Sequence, residues 1–215
     1  MKDRSFRMIL RSTFTAVFAA IICVGCLVAI PTPGGVPIAV QNMFCILAGG
    51  ILGGIQGAGA VGLFMILGAI GLPVFAGAHG GMACLIGPTG GYIWGYFLAA
   101  LAIGLILGTP HTFEKKFNIM MWLKIAIAAL LAYVIVYVPG IPWFIHVMKE
   151  QGKDVNFAKA LSWTCIPFIP GDLIKLFITI PLVAVLRPIA ARYLYPNDKK
   201  EEEELLNSLK NNNEN

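Results

Sequence analysis

Between Arg11 and Glu114 this chain carries no aspartate, glutamate, lysine or arginine. A soluble domain is roughly 25% charged and spreads those charges over its surface. An uncharged run of this length therefore has no water-facing fold open to it. Lipid suits it, because an apolar helix of about 20 residues crosses a hydrocarbon core about 30 Å thick. The rest of the 215-residue chain agrees, being 58% hydrophobic and 13% charged, with mean hydropathy +0.78. The class predicted is an all-α integral membrane protein. In a soluble protein the formal net charge of +5 would suggest nucleic acid. Here the basic residues cluster at predicted helix ends, where orientation and lipid headgroups account for them. No basic–aromatic array accompanies them, so nucleic acid is not an expected partner. The first apolar segment has no convincing small-residue cleavage site and reads as a helix of the protein, not as a cleavable signal.

In chain order, six spans are predicted, over residues 8–30, 38–52, 59–72, 91–108, 119–138 and 171–186. The last continues through Arg187 to Arg192 at the cytoplasmic surface. Together they make one membrane domain, residues 1–195, followed by a polar, loosely ordered tail over 196–215. Lys2, Arg4, Arg7 and Arg11 at one end and Lys115 and Lys116 in the 111–118 loop place both termini in the cytoplasm of a bacterial-type cell by the positive-inside rule. The turn over 53–58 carries no basic residue to add to that argument. In the first span Ala16, Ala19 and Ala20 form a small-residue face that admits a second helix closely. That helix belongs either to a partner subunit or to the same bundle. Cys23 and Cys26 form a C-x-x-C inside an apolar helix with no further ligand nearby, so neither metal nor redox chemistry is expected. The proline- and glycine-rich segment 31–37 is a connector or a lid. Gln41 and Asn42 open the second span, where they cap backbone or face a cavity, and Gly49 to Gly57 repeat at GxxxG spacing, which suits close helix packing. Pro139 ends the fifth span. Residues 139–170 form the longest connection, with Trp143 and Trp163 at the outer interface and a short surface helix over 154–164.

Two features carry chemistry. The first is FAGAHGGMACLIGPTGGYIWGY over 75–96, with seven glycines between apolar segments. Irregular backbone at membrane depth survives only where protein or a water-filled cavity satisfies its amides, so a ligand is expected there. His79 lies in that stretch, hydrogen-bonded to backbone or facing the ligand. The second is Asp172 and Lys175, an i, i+3 pair on one face of the last span. Ionisable residues inside a membrane mark a site or pathway; the alternative is a helix cap with its neutralising partner. No G-x-S-x-G, H-E-x-x-H or Walker motif is present, so hydrolase, zincin and ATPase chemistry lack their usual signatures. Three function classes stay open on residues alone: a binding subunit, an intramembrane enzyme using Asp172 and Lys175 as acid and base, and a small channel or carrier.

Gly71-Leu-Pro-Val-Phe-Ala76, AGAHGG, Gly87-Pro-Thr-Gly-Gly-Tyr92 and the distant Pro167-Phe-Ile-Pro-Gly-Asp172-x-x-Lys175 together resemble the BioY family. Pro37-Ile38 followed by Gln41 adds to the likeness, which runs over about residues 31–108 and 166–187. The resemblance implies a non-catalytic, six-helix substrate-binding subunit of an energy-coupling factor transporter, capturing biotin with high affinity on the outer side. A membrane coupling subunit and ATPase subunits would drive uptake; a subunit for another small vitamin is the near alternative. Asp172, Lys175, His79, Gln41, Gly80, Gly81, Thr89, Gly90 and Tyr92 are then the expected substrate-binding residues. Ala16, Ala19 and Ala20 are the expected contacts to the coupling subunit. No cofactor and no metal are implied.

Overall fold

Glycine and proline set where the chain breaks, and packing decides which of those breaks persist. The computed structural model describes residues 2–30, 36, 38–110 and 119–195. Helix α1, Lys2–Val24, closes in a turn of 3-10 helix, Gly25–Leu27. A two-residue strand β1, Ala29–Ile30, pairs antiparallel with β2, Ile38–Ala39, Ala29 lying opposite Ala39. Then come α2 (Gln41–Leu52), α3 (Gly54–Ala69), α4 (Met82–Ile86), α5 (Gly90–Leu107), α6 (Ile119–Glu150), α7 (Phe157–Thr164) and α8 (Ile169–Leu194). Gly53, at φ 91°, separates α2 from α3, a left-handed conformation that costs glycine nothing.

Among the described residues, four helical stretches are long and apolar enough to cross a bilayer: Phe6–Leu27, Gly90–Leu107, Ile119–Glu150 and Phe157–Leu194. The second and third expected spans are shorter than this. Helix α2 has 12 residues, about 18 Å at about 1.5 Å per residue, and α3 has 16. Helix α2 is buried along nearly its whole length, whereas α3 buries one face and leaves Ile55 and Ile66 exposed on the other. A side chain on Gly57 would strike the backbone of Gly49, and one on Gly49 would strike the Ala100 carbonyl of α5, so the GxxxG spacing serves a backbone-to-backbone crossing.

Pro139 does not end a helix. Helix α6 runs through both Pro139 and Pro142, so the 139–170 connection shrinks to the turn before α7 plus α7 and its 3-10 extension. Proline fixes φ near the helical value and removes only local ladder bonds. Close packing on α5 holds the rest: side chains on Gly91 and Gly95 would collide with Pro139 and Trp143 and with Val136. The expected short helix is α7, capped by Asn156, whose side chain accepts from the Lys159 amide at 2.9 Å.

The burial pattern is that of a membrane bundle. Large apolar side chains such as Val138, Ile174 and Phe177 point outward. The inner face of α8 buries Asp172, Lys175, Thr179 and Arg187. Arg187, expected at the cytoplasmic surface, is instead 1% exposed. It donates to the carbonyls of Gly50 (2.6 Å), Leu107 (3.1 Å) and Gly108 (2.8 Å), tying off the C-terminal ends of α2 and α5, where a cation meets unpaired carbonyls and the negative end of the helix dipole. At the same end Arg11 donates to the Leu194 carbonyl at 3.1 and 3.2 Å, fastening the start of α1 to the end of α8. Ala16 and Ala20 face outward on α1, but Ala19 is 1% exposed and packs in the inner cluster with Ile22, Val61 and Phe64. Ala19 is thus internal packing, not the partner contact expected of it.

Candidate ligand-binding site

The end of the bundle away from Arg11 holds a cavity of about 600 Å³, within the range of small-molecule sites. The glycine-rich stretch supplies much of its wall. Phe75, His79, Cys84, Pro88, Thr89, Tyr92 and Tyr96 line it, with Gln41 from α2 and Ala29 and Val36 from the hairpin region. Each wall element is held by a specific bond. Gln41, 1% exposed, donates to the carbonyls of Ile22 (3.1 Å) and Val74 (2.6 Å), joining α1, α2 and the 70–81 loop. Both amide hydrogens are used, leaving its oxygen as the polar group it can turn to the cavity. The loop closes on itself through Phe75 and His79, which exchange backbone bonds at 2.8 and 3.2 Å. Gly68 makes room for the Phe75 ring, which any Cβ there would strike; that ring also stacks edge-on against Phe64. Trp143 of α6 donates its indole N–H to the Gly87 carbonyl at 3.0 Å, and so braces the cavity wall from behind.

Of the expected residues, Gln41, His79, Thr89 and Tyr92 meet at this cavity. Gly80, Gly81 and Gly90 do not line it. Their absent side chains allow the loop to fold: a Cβ on Gly80 would strike the Leu72 carbonyl and one on Gly90 the Leu85 carbonyl. Gly81, at φ 96°, starts α4 and donates to the Gly68 carbonyl at 2.7 Å. His79 is exposed at the rim. The segment 31–37, expected as a connector or lid, lies outside the described residues except for Val36.

Asp172 and Lys175 sit one step deeper. A recess of about 20 Å³ shares Val36, Tyr92 and Tyr96 with the main cavity and reaches Asn42, Tyr137 and Lys175. The Lys175 ammonium donates to Asp172 Oδ1 (2.9 Å), Asn42 Oδ1 (3.0 Å) and the Ala39 carbonyl (2.8 Å), which uses all three of its hydrogens. Asp172 Oδ1 also accepts from Asn42 Nδ2 at 3.1 Å, and Oδ2 accepts from the Tyr137 hydroxyl at 2.6 Å. Asp172 makes no side-chain cap to α8; its role is in this cluster. Lys175 and Asp172 are 7% and 9% exposed, and burying such a pair together offsets the cost of burying either alone, since each hydrogen-bonds the other. The cluster joins α2, α6, α8 and the β2 strand beside the recess; neither Asp172 nor Lys175 lines the main cavity itself. Tyr92 completes the wall between the two spaces: its hydroxyl donates to Thr164 Oγ1 at 2.6 Å, and its ring meets Tyr137 edge-on at 6.1 Å.

Sequence reasoning passed over Tyr137, Tyr96 and Thr164, and left Asn42 between capping backbone and facing a cavity, not as a partner of Asp172 and Lys175. Asn42 had a signal, a polar residue beside Gln41 at the start of a span. Tyr137 had none, since tyrosine in an apolar helix is ordinary until its hydroxyl is seen on a carboxylate.

The match to the family described as the BioY family covers residues 2–192. This chain belongs to the BioY family. Among BioY relatives, it is 39% identical over 173 residues to a biotin transporter of Rhodobacter capsulatus, covering 78% of this chain and 87% of that protein. It is also 39% identical over 162 residues to a biotin transporter of Thermotoga maritima, covering 75% and 86%. The crystal structure at 2.1 Å of the S-component for biotin from an ECF-type ABC transporter superposes with TM-score 0.69 at 33% identity, covering 84% of this chain and 92% of that one. The BioY resemblance expected from the glycine-rich stretch and the distant Asp172-x-x-Lys175 is thus correct, and it extends over most of the chain.

Proposed function

We propose that this chain captures biotin as the membrane-embedded S-component of an ECF-type transporter, and that separate coupling and ATPase subunits drive uptake. The observation that carries this reading is the 600 Å³ cavity with, behind its Tyr92–Tyr96 wall, a small recess reaching the Asn42–Tyr137–Asp172–Lys175 cluster in a BioY-family chain. Biotin has an apolar bicyclic core, a ureido group with two N–H donors and one strong acceptor, and a terminal carboxylate. Aromatic walls suit the core, while the cluster beyond the recess holds acceptors on Asp172 and donors on Lys175. In the ligand-free arrangement those groups satisfy one another, so binding exchanges internal bonds for ligand bonds. Asp172 accepts from the ureido N–H, Lys175 donates to a ligand oxygen, and Gln41, His79 and Thr89 add bonds around Tyr92. With every hydrogen of Lys175 engaged and Asp172 already holding three donors, neither is set up as a free acid or base, which tells against the intramembrane enzyme.

Six crossings fit this reading, with α1, α2, α3, α5, α6 and α8 alternating in direction, the short α2 shielded inside and the short α3 half so. Residues 1–195 then form the membrane unit; the polar tail expected over 196–215 lies outside the described residues. Arg11, Lys124, Arg187 and Arg192 gather at the end opposite the cavity, which supports cytoplasmic termini and an outward-facing site. Ala16 and Ala20 are the outward small residues offered to the coupling subunit. The test is retention of biotin by the purified chain alone through gel filtration; a chain that retains a different vitamin, or none, removes the proposal.

A further inference from the structure

Helix α7 opens the apolar stretch Phe157–Leu194 but is set off from α8 by the 3-10 turn Ile166–Phe168, and its surroundings define what covers it. Its inner side is fully buried: Ala160 and Thr164 are both at 0% exposure. Thr164 receives the Tyr92 hydroxyl and itself donates to the Ala160 carbonyl at 2.9 Å. Its other side is open and of mixed character. Phe157 is 61% exposed, and Ile166, just beyond the helix, 59%. Between them Lys159 lays its ammonium over the Trp163 ring at 5.0 Å and donates to the Asp154 carbonyl at 3.2 Å. Water alone does not suit this face, because it leaves large apolar groups bare. Hydrocarbon alone does not suit it either, because it strands an ammonium. The boundary between headgroups and acyl chains suits both, as Lys and Trp favour that depth and an amphipathic helix lies along it.

We infer that α7 is an interfacial anchor, seated in the headgroup boundary of the leaflet on the cavity side, with phospholipid as the partner that covers its open face. Continuity with lipid-facing surface supports that occupant over a protein. From Ile166 the apolar exposure passes to Ile169 and on to Ile174 and Phe177 of α8, the outer surface of a bilayer-crossing stretch. The anchor also has a reason to exist. Through Thr164 it fixes the Tyr92 hydroxyl, so its seating at the boundary sets the position of the wall shared by the cavity and its recess. The inference rests on the membrane placement and not on which ligand the cavity takes.

The test is photocrosslinking in vesicles of phosphatidylethanolamine and phosphatidylglycerol containing tritiated phospholipid. The full chain carries p-benzoylphenylalanine in place of Phe157 or Ile166, of Phe177 as the acyl-facing reference, or of Gln151 as the exposed turn reference. These positions are all on the surface, and each variant is required to elute like the parent chain. Positions 157 and 166 are expected to form several-fold more phospholipid adduct than 151. Adduct at 157 and 166 no greater than at 151, while 177 labels, overturns the anchor; so does crosslinking of 157 and 166 to a second protein chain in place of lipid. Loss of biotin retention in any of these variants bears on the cavity and leaves the adduct result readable.

Discussion

At the scale of single residues, the weight of the site rests on hydrogens that are already spent. Because the Lys175 ammonium has three acceptors and Asp172 three donors, substitutions here act through what they orphan. Asp172→Asn keeps the shape and one carbonyl oxygen, yet removes the charge that neutralises Lys175. Hydrogen bonds to charged groups contribute about 1.5–3 kcal/mol, so biotin affinity is expected to fall about tenfold or more, measured by titration calorimetry on the folded variant. Lys175→Met is expected to act similarly. The double variant should lose less than the sum of the two, since the groups act as one unit; strict additivity would separate their roles. Arg187→Met tests a different thing. It strips the carbonyls of Gly50, Leu107 and Gly108 of a charged donor, at roughly 1–3 kcal/mol for each buried acceptor left unpaired. The thermal transition in detergent should therefore drop, while biotin affinity below that transition stays unchanged.

At the scale of elements, the cavity depends on backbones and rings that approach where no side chain intervenes. Gly68 of α3 faces the Phe75 ring, which has Phe64 behind it. Gly68→Ala forces that ring off its seat, and overpacking of this kind costs about 1–3 kcal/mol. Because Phe75 is part of the cavity wall, biotin retention is expected to suffer more than expression or membrane insertion; unchanged retention would mean the loop yields freely. Helix α1 has two faces with different fates. Ala16→Trp with Ala20→Trp adds bulk to the outward side, and the expectation is loss of transporter assembly and uptake with biotin binding intact. Ala19→Trp strikes the buried cluster of Ile22, Val61 and Phe64, so it should lower stability and binding together. If the outward pair also lost binding, α1 would be packing inside the bundle on both faces.

At the scale of the whole molecule, the two ends have distinct work: one encloses the cavity, while the other gathers cations, with Arg11 fastening α1 to α8 and Arg187 tying off α2 and α5. Composition alone determined the class, because a charge-free run of that length has only lipid to face. The glycine-rich stretch and the spacing of Asp172 and Lys175 determined where to look for the site and which family to compare. Segment ends followed less well. Pro139 reads as a stop, but a helix pressed on Gly91 and Gly95 continues past it, since packing outweighs the loss of a ladder bond. Which face of α1 is inward depends on helices that follow it in the chain; that Arg187 is buried, and that Asn42 and Tyr137 complete the charged cluster, depends on contacts between residues 35 to 137 positions apart. Local pattern carries no record of such distances. Sequence fixes what each segment can tolerate around it, whereas the partner that satisfies a buried donor or carboxylate exists only once the helices have been brought together.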